Sequence, residues 1–265
     1  MTLKTLPPAG AATPGIRLES ATLARGDRVV LEQIDLHLTE QRIGLVGDNG
    51  AGKSSLFRLI CGLDQPQSGR VSVHGCRTDE ASERRKLPQH VGLMFQNPDD
   101  QIIFPTVAEE LAFSLTAAGI GKPQARQQAR AFLAARGLPD WADRAVGELS
   151  QGQRQQVCLM ALQITTPATL LLDEPYSALD LPSQLRLSAQ IAATSQQIIL
   201  STHLLEHVQD FERVLWLEQG KLRGDGPGRD VCAAYARDVR ERAVLNSTAE
   251  VLQEVLQHAA QADAT

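Results

Sequence analysis

The chain has 265 residues, which at about 150 residues per domain points to one large domain or a domain carrying an insertion. Hydrophobic residues make up 43% and charged residues 22%, a globular composition that excludes a disordered, collagen-like or coiled-coil chain. Lys and Arg total 26 against 31 Asp and Glu, a net charge of -5. No overall attraction to nucleic acid or anionic lipid is available, and no nucleic-acid partner is expected.

Residues 1–15 carry Pro7, Pro8 and Pro14 among alanines and threonines, which predicts a disordered N-terminal tail. Strands are expected over 16–23, 29–38, 71–73 and 91–95, each bounded by glycine or polar turns. The run 43–46 is continuously apolar, the pattern of a strand buried on both faces, and 53–63 reads as the helix after it. The segments 107–118, 124–136 and 153–165 have helical apolar spacing and are punctuated by Pro105, Pro123, Pro139 and Pro167, so a helical subdomain of about 98–166 is expected inside an α/β core. Apolar strands at 170–172 and 198–200 flank a helix at 183–194, the alternation of a parallel α/β fold. The segments 214–217 and 221–223, joined by Glu218-Gln219-Gly220, read as a closing hairpin, and the main domain is expected to span 16–230. In the remaining extension, 231–265, Ser247 and Glu250 form a capping box before Val251, Leu252, Val255 and Leu256, which predicts a terminal amphipathic helix that docks on its own core or on a second copy.

No apolar run approaches the ~18 residues of a spanning helix; the longest uncharged candidate, 111–121, is interrupted by Ser114, Thr116, Gly119 and Gly121. Any membrane role is therefore expected to be peripheral. Cys61, Cys76, Cys158 and Cys232 form no C-x-x-C pair and the N-terminus has no charged-then-apolar leader, the pattern of reduced cytosolic thiols.

The chemistry concentrates in two places. Gly47-Asp48-Asn49-Gly50-Ala51-Gly52-Lys53-Ser54, between the buried strand and a helix, is a phosphate-binding loop in the context that motif requires. Its glycines let backbone amides converge on phosphate oxygens, and the helix N-terminus adds partial positive charge. Lys53 reaches the β- and γ-phosphates, Ser54 offers a hydroxyl to Mg²⁺, a hard cation that prefers oxygen ligands, and Ser55 donates to the α-phosphate. The second place is Asp173-Glu174, delivered by Leu170-Leu171-Leu172 to a strand's C-terminal end, where α/β sheets bind ligands. Asp173 is expected to hold Mg²⁺ through water. Glu174 is expected to orient and deprotonate the water that attacks the γ-phosphate, because phosphoryl transfer needs positioning more than covalent chemistry. ATP and Mg²⁺ are the expected ligands.

Leu149-Ser150-Gln151-Gly152-Gln153 resembles the LSGGQ signature of ATP-binding-cassette (ABC) ATPases. In the same order stand Gln96 after a strand, Ser177-Ala178-Leu179-Asp180, and His203 after the strand 198–200, similar to that family's Q-loop, D-loop and switch histidine. The resemblance runs from Ile16 to Gly224. It implies a P-loop NTPase core with an antiparallel β subdomain and an inserted α-helical subdomain. It further implies that Gln96 contacts the metal, that His203 contacts the γ-phosphate, and that Ser150, Gln151, Gly152, Gln153 and Asp180 face ATP held by a second ATPase subunit, most simply another copy of this chain. Three positions depart from the family pattern. Arg25 stands where an aromatic ring stacks on adenine, Gln151 replaces a glycine, and Glu40-Gln41 replaces a Gly-Glu turn. The guanidinium plane of Arg25 could itself lie on the base.

Phe95-Gln96-Asn97-Pro98-Asp99-Asp100-Gln101, followed by Phe104, Pro105, Thr106 and Val107, is similar to the Q-loop of energy-coupling factor ATPases within that family. The similarity implies uptake of a vitamin, with biotin favoured, or of cobalt or nickel. A transmembrane coupling protein and a substrate-binding membrane protein would be the partners, and the chain would sit on the cytoplasmic face of the membrane. Asp99, Asp100, Glu109 and Glu110 are the expected receivers of arginines from the coupling protein, since carboxylates pair bidentately with guanidinium. Two rivals exist: a soluble cassette ATPase acting on nucleic acid or ribosomes, disfavoured by the acidic balance, and a zinc site in His203-Leu204-Leu205-Glu206-His207, an inverted zinc-hydrolase pattern with no compelling third ligand. Under the cassette reading His207 is a solvent-facing helix residue.

Overall fold

The computed structural model describes residues 15–262; the predicted tail lies, apart from Gly15, outside the described residues. The elements begin with β1 (Ile16–Arg25), β2 (Arg28–Leu38), β3 (Arg42–Val46), α1 (Lys53–Ile60), β4 (Ser68–Val73), β5 (Cys76–Arg77), α2 (Ala81–Arg84) and β6 (Val91–Met94). There follow α3 (Val107–Ala117), α4 (Lys122–Ala135), α5 (Gln151–Gln163), β7 (Thr169–Asp173), α6 (Leu181–Ala192), β8 (Gln197–Ser201), β9 (Arg213–Glu218), β10 (Lys221–Gly226) and α7 (Gly228–Ala262). The strands expected from the sequence, and the helices expected before the terminal one, are present within a few residues of their expected ends. β5 and α2 are additional, and both are too short to leave a periodic pattern.

Two sheets form. One is antiparallel, in the order β2-β1-β4-β5; the other runs β10-β9-β3-β8-β7-β6, parallel from β9 to β6 with β10 antiparallel at the edge. The strand side-chain period of two explains why Leu170-Leu171-Leu172 is apolar throughout. Leu171 joins the core between the sheets, with Leu56, Phe57 and Ile60 of α1, whereas Leu170 and Leu172 point to the opposite core, with Leu187 and Ile191 of α6 and Val231 of α7. Ile199 and its neighbours Ile198 and Leu200 divide in the same way. A third core, built around Leu111, Leu133 and Val157, lies within α3, α4 and α5.

The terminal helix corrects one expectation. α7 already begins at Gly228 and passes through Ser247, so Ser247 does not cap it. Pro227 just ahead and Asp230 in the first turn mark the start, an acidic residue there complementing the helix dipole. The side chains of Val251, Leu252, Val255 and Leu256 lie outside the described residues.

Candidate active site

The parallel register brings three strand ends together. Asp173 of β7 pairs with Ser201 of β8, which pairs with Leu45 of β3, so the loops after these strands open side by side. They border a cleft of about 1060 Å³ lined by Gly47, Asp48, Asn49, Gly50, Gly52, Lys53, Ser54 and Ser55 from the phosphate loop and by Gln96, Asp173, Glu174, His203 and Arg25. Residues placed far apart in the sequence are thus gathered as the resemblance implies. Ala51 is the exception: it is buried in the core between the sheets, and its N–H donates to the Asp48 carbonyl at 3.1 Å.

The loop lies tightly on its surroundings on one side and open on the other. A Cβ on Gly47 (φ 148°) would collide with the Leu217 carbonyl, whereas one on Gly50 would meet nothing within 4 Å. That open edge is the space a phosphate chain requires. Lys53 is buried and curls back, its Nζ donating to the Gly47 carbonyl at 2.8 Å and the Asp48 carbonyl at 3.3 Å and lying 3.7 Å from Glu174 Oε1.

Glu174 is the hub. It takes left-handed backbone geometry (φ 47°), uncommon for a residue with a side chain, and its N–H donates to the Ser201 carbonyl at 3.0 Å. Its Oε2 accepts from the His203 N–H at 3.3 Å and lies 2.8 Å from His203 Nδ1. Asp173 accepts from Ser201 Oγ at 2.6 Å through Oδ1, while Ser54 is exposed at the loop's edge. Hydroxyl, carboxylate and the Gln96 amide are hard oxygen donors and suit Mg²⁺; Lys53 and the glycine loop suit phosphate.

Arg25 lines the cleft, but its guanidinium is held by Asp64 at 2.8 Å, and Asp64 also takes Arg58 through 3.0 Å contacts to both carboxylate oxygens. Arg58 foremost, then Arg25, keep the Asp64 carboxyl below its usual range against the opposing effect of burial. Four cleft residues escaped the sequence reading: Arg28, Val30, Tyr235 and Arg242. The last two come from α7, and no local pattern signals that a terminal helix reaches the phosphate loop.

The signature residues are not brought to this cleft. Ser150 caps α5, its Oγ accepting from Gln153 N–H at 3.3 Å while Gln153 Oε1 accepts from Ser150 N–H at 3.0 Å. Gly152 packs so closely on α6 that a Cβ would sit 2.5 Å from Ser183 Oγ. Asp180 caps α6 through Ser183 N–H at 3.0 Å; Ser150, Gln151 and Asp180 are exposed.

The four acidic residues separate into two kinds. Asp99 and Asp100 are exposed on the turn after β6, Asp99 lying 3.6 Å from Arg154. Glu110 corrects the expectation: it is only 4% exposed, and its Oε2 accepts from Ile103 N–H and Phe104 N–H, both at 2.9 Å. A carboxylate so engaged holds the loop and is no arginine receiver. Glu109 accepts from Thr106 Oγ1 at 2.8 Å and lies 3.8 Å from Arg126. No pattern in the sequence signals that Ile103 (71% exposed), which lines a shallow pocket with Asp99, or Phe113, which packs against Phe104, would stand open.

His207 is a second correction. It belongs to a short 3-10 turn, Leu205–His207, and stacks on Tyr176 with ring centroids 3.7 Å apart; burial lowers its pKa. His203 meanwhile faces Glu174, so the two histidines serve different surroundings and form no helical zinc pair.

A family model described as "ABC transporter" matches residues 31–177. The chain belongs to the ABC transporter ATP-binding family. Within it, the chain is 49% identical over 83% of its length to the biotin transport ATP-binding protein BioM of Rhodobacter capsulatus, covering 93% of that protein. It is 40% identical, again over 83% of its length, to the BioM of Rhizobium etli, covering 97%. Among solved structures, CbiO1 from Clostridium perfringens, part of the ABC transporter complex CbiONQ, superposes with a TM-score of 0.72 over 82% of this chain and 90% of that one at 24% identity. That likeness establishes the cassette ATPase fold, with its β sheets and inserted helices. As an ABC ATPase the chain binds ATP and couples its hydrolysis to transport.

Proposed function

We propose that this protein is the ATP-hydrolysing subunit of an energy-coupling factor importer for biotin, working as a pair of ATPase subunits, a homodimer in the simplest case, beneath a transmembrane coupling protein and a substrate-binding membrane protein. The observation that carries the reading is the 49% identity to a biotin transport ATP-binding protein across 93% of that protein. Biotin is preferred to cobalt or nickel because the relatives at 49% and 40% identity are both named for biotin. Among the described residues no helix is long and apolar enough to cross a membrane, in keeping with peripheral attachment at the cytoplasmic face.

In this mechanism the glycine loop and Lys53 hold the phosphates, Lys53 exchanging two carbonyl partners for phosphate oxygens, and Ser55 donates to the α-phosphate. Ser54, Gln96 and, through water, Asp173 would hold Mg²⁺, which supplies charge neutralisation when bound. Glu174, released from Lys53, accepts the proton of the attacking water, and His203, hydrogen-bonded to it, orients it and contacts the γ-phosphate. Ser150, Gly152 and Asp180 meet the nucleotide of the second subunit, which explains why they lie outside their own cleft. Arg25 lies along the base with its edge fixed by Asp64. The turn bearing Asp99 and Asp100, with the open Ile103 and Phe113, receives the coupling protein.

The test is labelled-biotin uptake in cells producing the chain with the membrane proteins encoded beside it. Uptake should require the ATPase and vanish in Lys53→Ala. Uptake of cobalt or nickel instead of biotin would replace the solute, and uptake by Lys53→Ala at the parental rate would overturn the ATPase role.

A further inference from the structure

The phosphate loop contains a residue of the wrong sign. Asp48 carries an acceptor-only carboxylate in a loop whose task is to hold anions, and its charge is close enough to that of Lys53 for the two to interact. Left alone, the pair cancels and the loop side chains offer a polyphosphate no net charge.

The structure supplies the missing cation from α7. Arg242 meets Asp48 through Nη1 to Oδ2 at 2.7 Å and Nη2 to Oδ1 at 3.3 Å, and Tyr235 Oη donates to Oδ1 at 3.0 Å. The guanidinium is fixed from behind, its Nε donating to Asp238 at 2.7 Å. Asp238 is itself paired with Arg223 at 2.7 Å, and that guanidinium lies 4.2 Å over the Trp216 ring. Tyr235 packs edge-on against the same ring at 5.4 Å. A planar fork locked on both sides is preorganised for one carboxylate. Tyr235 and Arg242 also line the cleft itself.

We propose that Arg242 is a positioning residue for nucleotide binding: from α7 it neutralises Asp48, so that the phosphate loop presents net positive charge to ATP only while this helix is docked. The proposal rests on the reading of the cleft as an ATP site. By linkage, whatever displaces α7 weakens ATP, and ATP in turn tightens the docking of α7.

Titration calorimetry of the purified full-length chain with ATP, ADP and AMP, in EDTA to prevent hydrolysis, tests it. Arg242→Ala should raise the ATP dissociation constant about tenfold, the effect of one uncompensated charge beside the phosphates, and the loss should shrink from ATP to AMP. Arg242→Ala with Asp48→Asn should return affinity to near the parental value. Asp48→Asn alone leaves Arg242 uncancelled and should bind ATP more tightly than the parent, which keeps the test open even if Arg242→Ala folds poorly. Unchanged ATP affinity in Arg242→Ala, an equal loss for AMP and ATP, no recovery in the double variant, or weaker ATP binding by Asp48→Asn would each overturn the proposal. If the parent binds ATP and Lys53→Ala does not, such a result removes Arg242 alone; a parent that fails to bind ATP removes the ATP site and this proposal together.

Discussion

The nucleotide cleft and the face formed by α3 to α5 and the start of α6 are built on different physical terms. In the cleft, Asp173, Glu174 and His203 project from the ends of β7 and β8, strands buried on both sides, and hydrogen bonds across neighbouring strand ends hold them before any ligand arrives. On the helical face, Ser150 and Asp180 are exposed helix caps whose hydrogen bonds stay within their own helices. Burial has finished the first site, whereas the second is left as exposed surface, the form the proposed pairing of subunits requires. The proposed pairing draws on this asymmetry: a rigid holder for phosphate in one subunit and an exposed helix start in the other.

The sharpest way to test the contrast is to remove one function from each region. Glu174→Gln keeps the shape of the hub but not its basicity, so steady-state phosphate release should fall on the order of 10³-fold while ATP affinity is kept and closed dimers accumulate on size-exclusion chromatography. Parental turnover would remove Glu174 from water activation. Ser150→Asp retains a good cap for α5 but sets a carboxylate toward the partner's γ-phosphate. Hydrolysis should drop about 100-fold, with the melting temperature and single-subunit ATP affinity unchanged; a folding defect instead would mean that the residue only caps.

The acidic residues sharpen the comparison within the helical face. Glu110→Ala strands the Ile103 and Phe104 amides and should lower stability by about 3 kcal/mol, read from denaturant titration. Asp99→Lys with Asp100→Lys should leave stability and basal ATPase near parental levels while reducing biotin uptake at least about tenfold, since two such reversals repel cationic partners. The reverse pattern would exchange their roles. The smallest effect belongs to Asp64. Its carboxyl is held below the usual range chiefly by Arg58, so its contribution is present above the unfolded value of about 3.9 and is lost as pH falls through the lower folded value. Asp64→Asn should flatten that acid limb and cost under about 1 kcal/mol at neutral pH, because Arg25 and Arg58 are largely solvent-exposed. An unaltered acid limb would show that the ion pair is energetically silent.

What the amino-acid order determined by itself was governed by local pattern: the glycine loop between strand and helix, the Asp-Glu pair ending an apolar run, the signature motif Ser150 to Gln153 ahead of a helix, and the succession of the longer strands and of the helices before the last. Each follows from neighbours in the chain, through period, capping or backbone freedom. Only the tertiary structure decided the partners of the charged groups. It buried Glu110 under two backbone amides, tied Arg25 to Asp64, stacked His207 on Tyr176, extended α7 back to Gly228 and set Arg242 against Asp48. A carboxylate or guanidinium reads the same in the sequence whether it faces water, an amide or an opposite charge. Which of these it meets depends on residues folded against it from elsewhere in the chain.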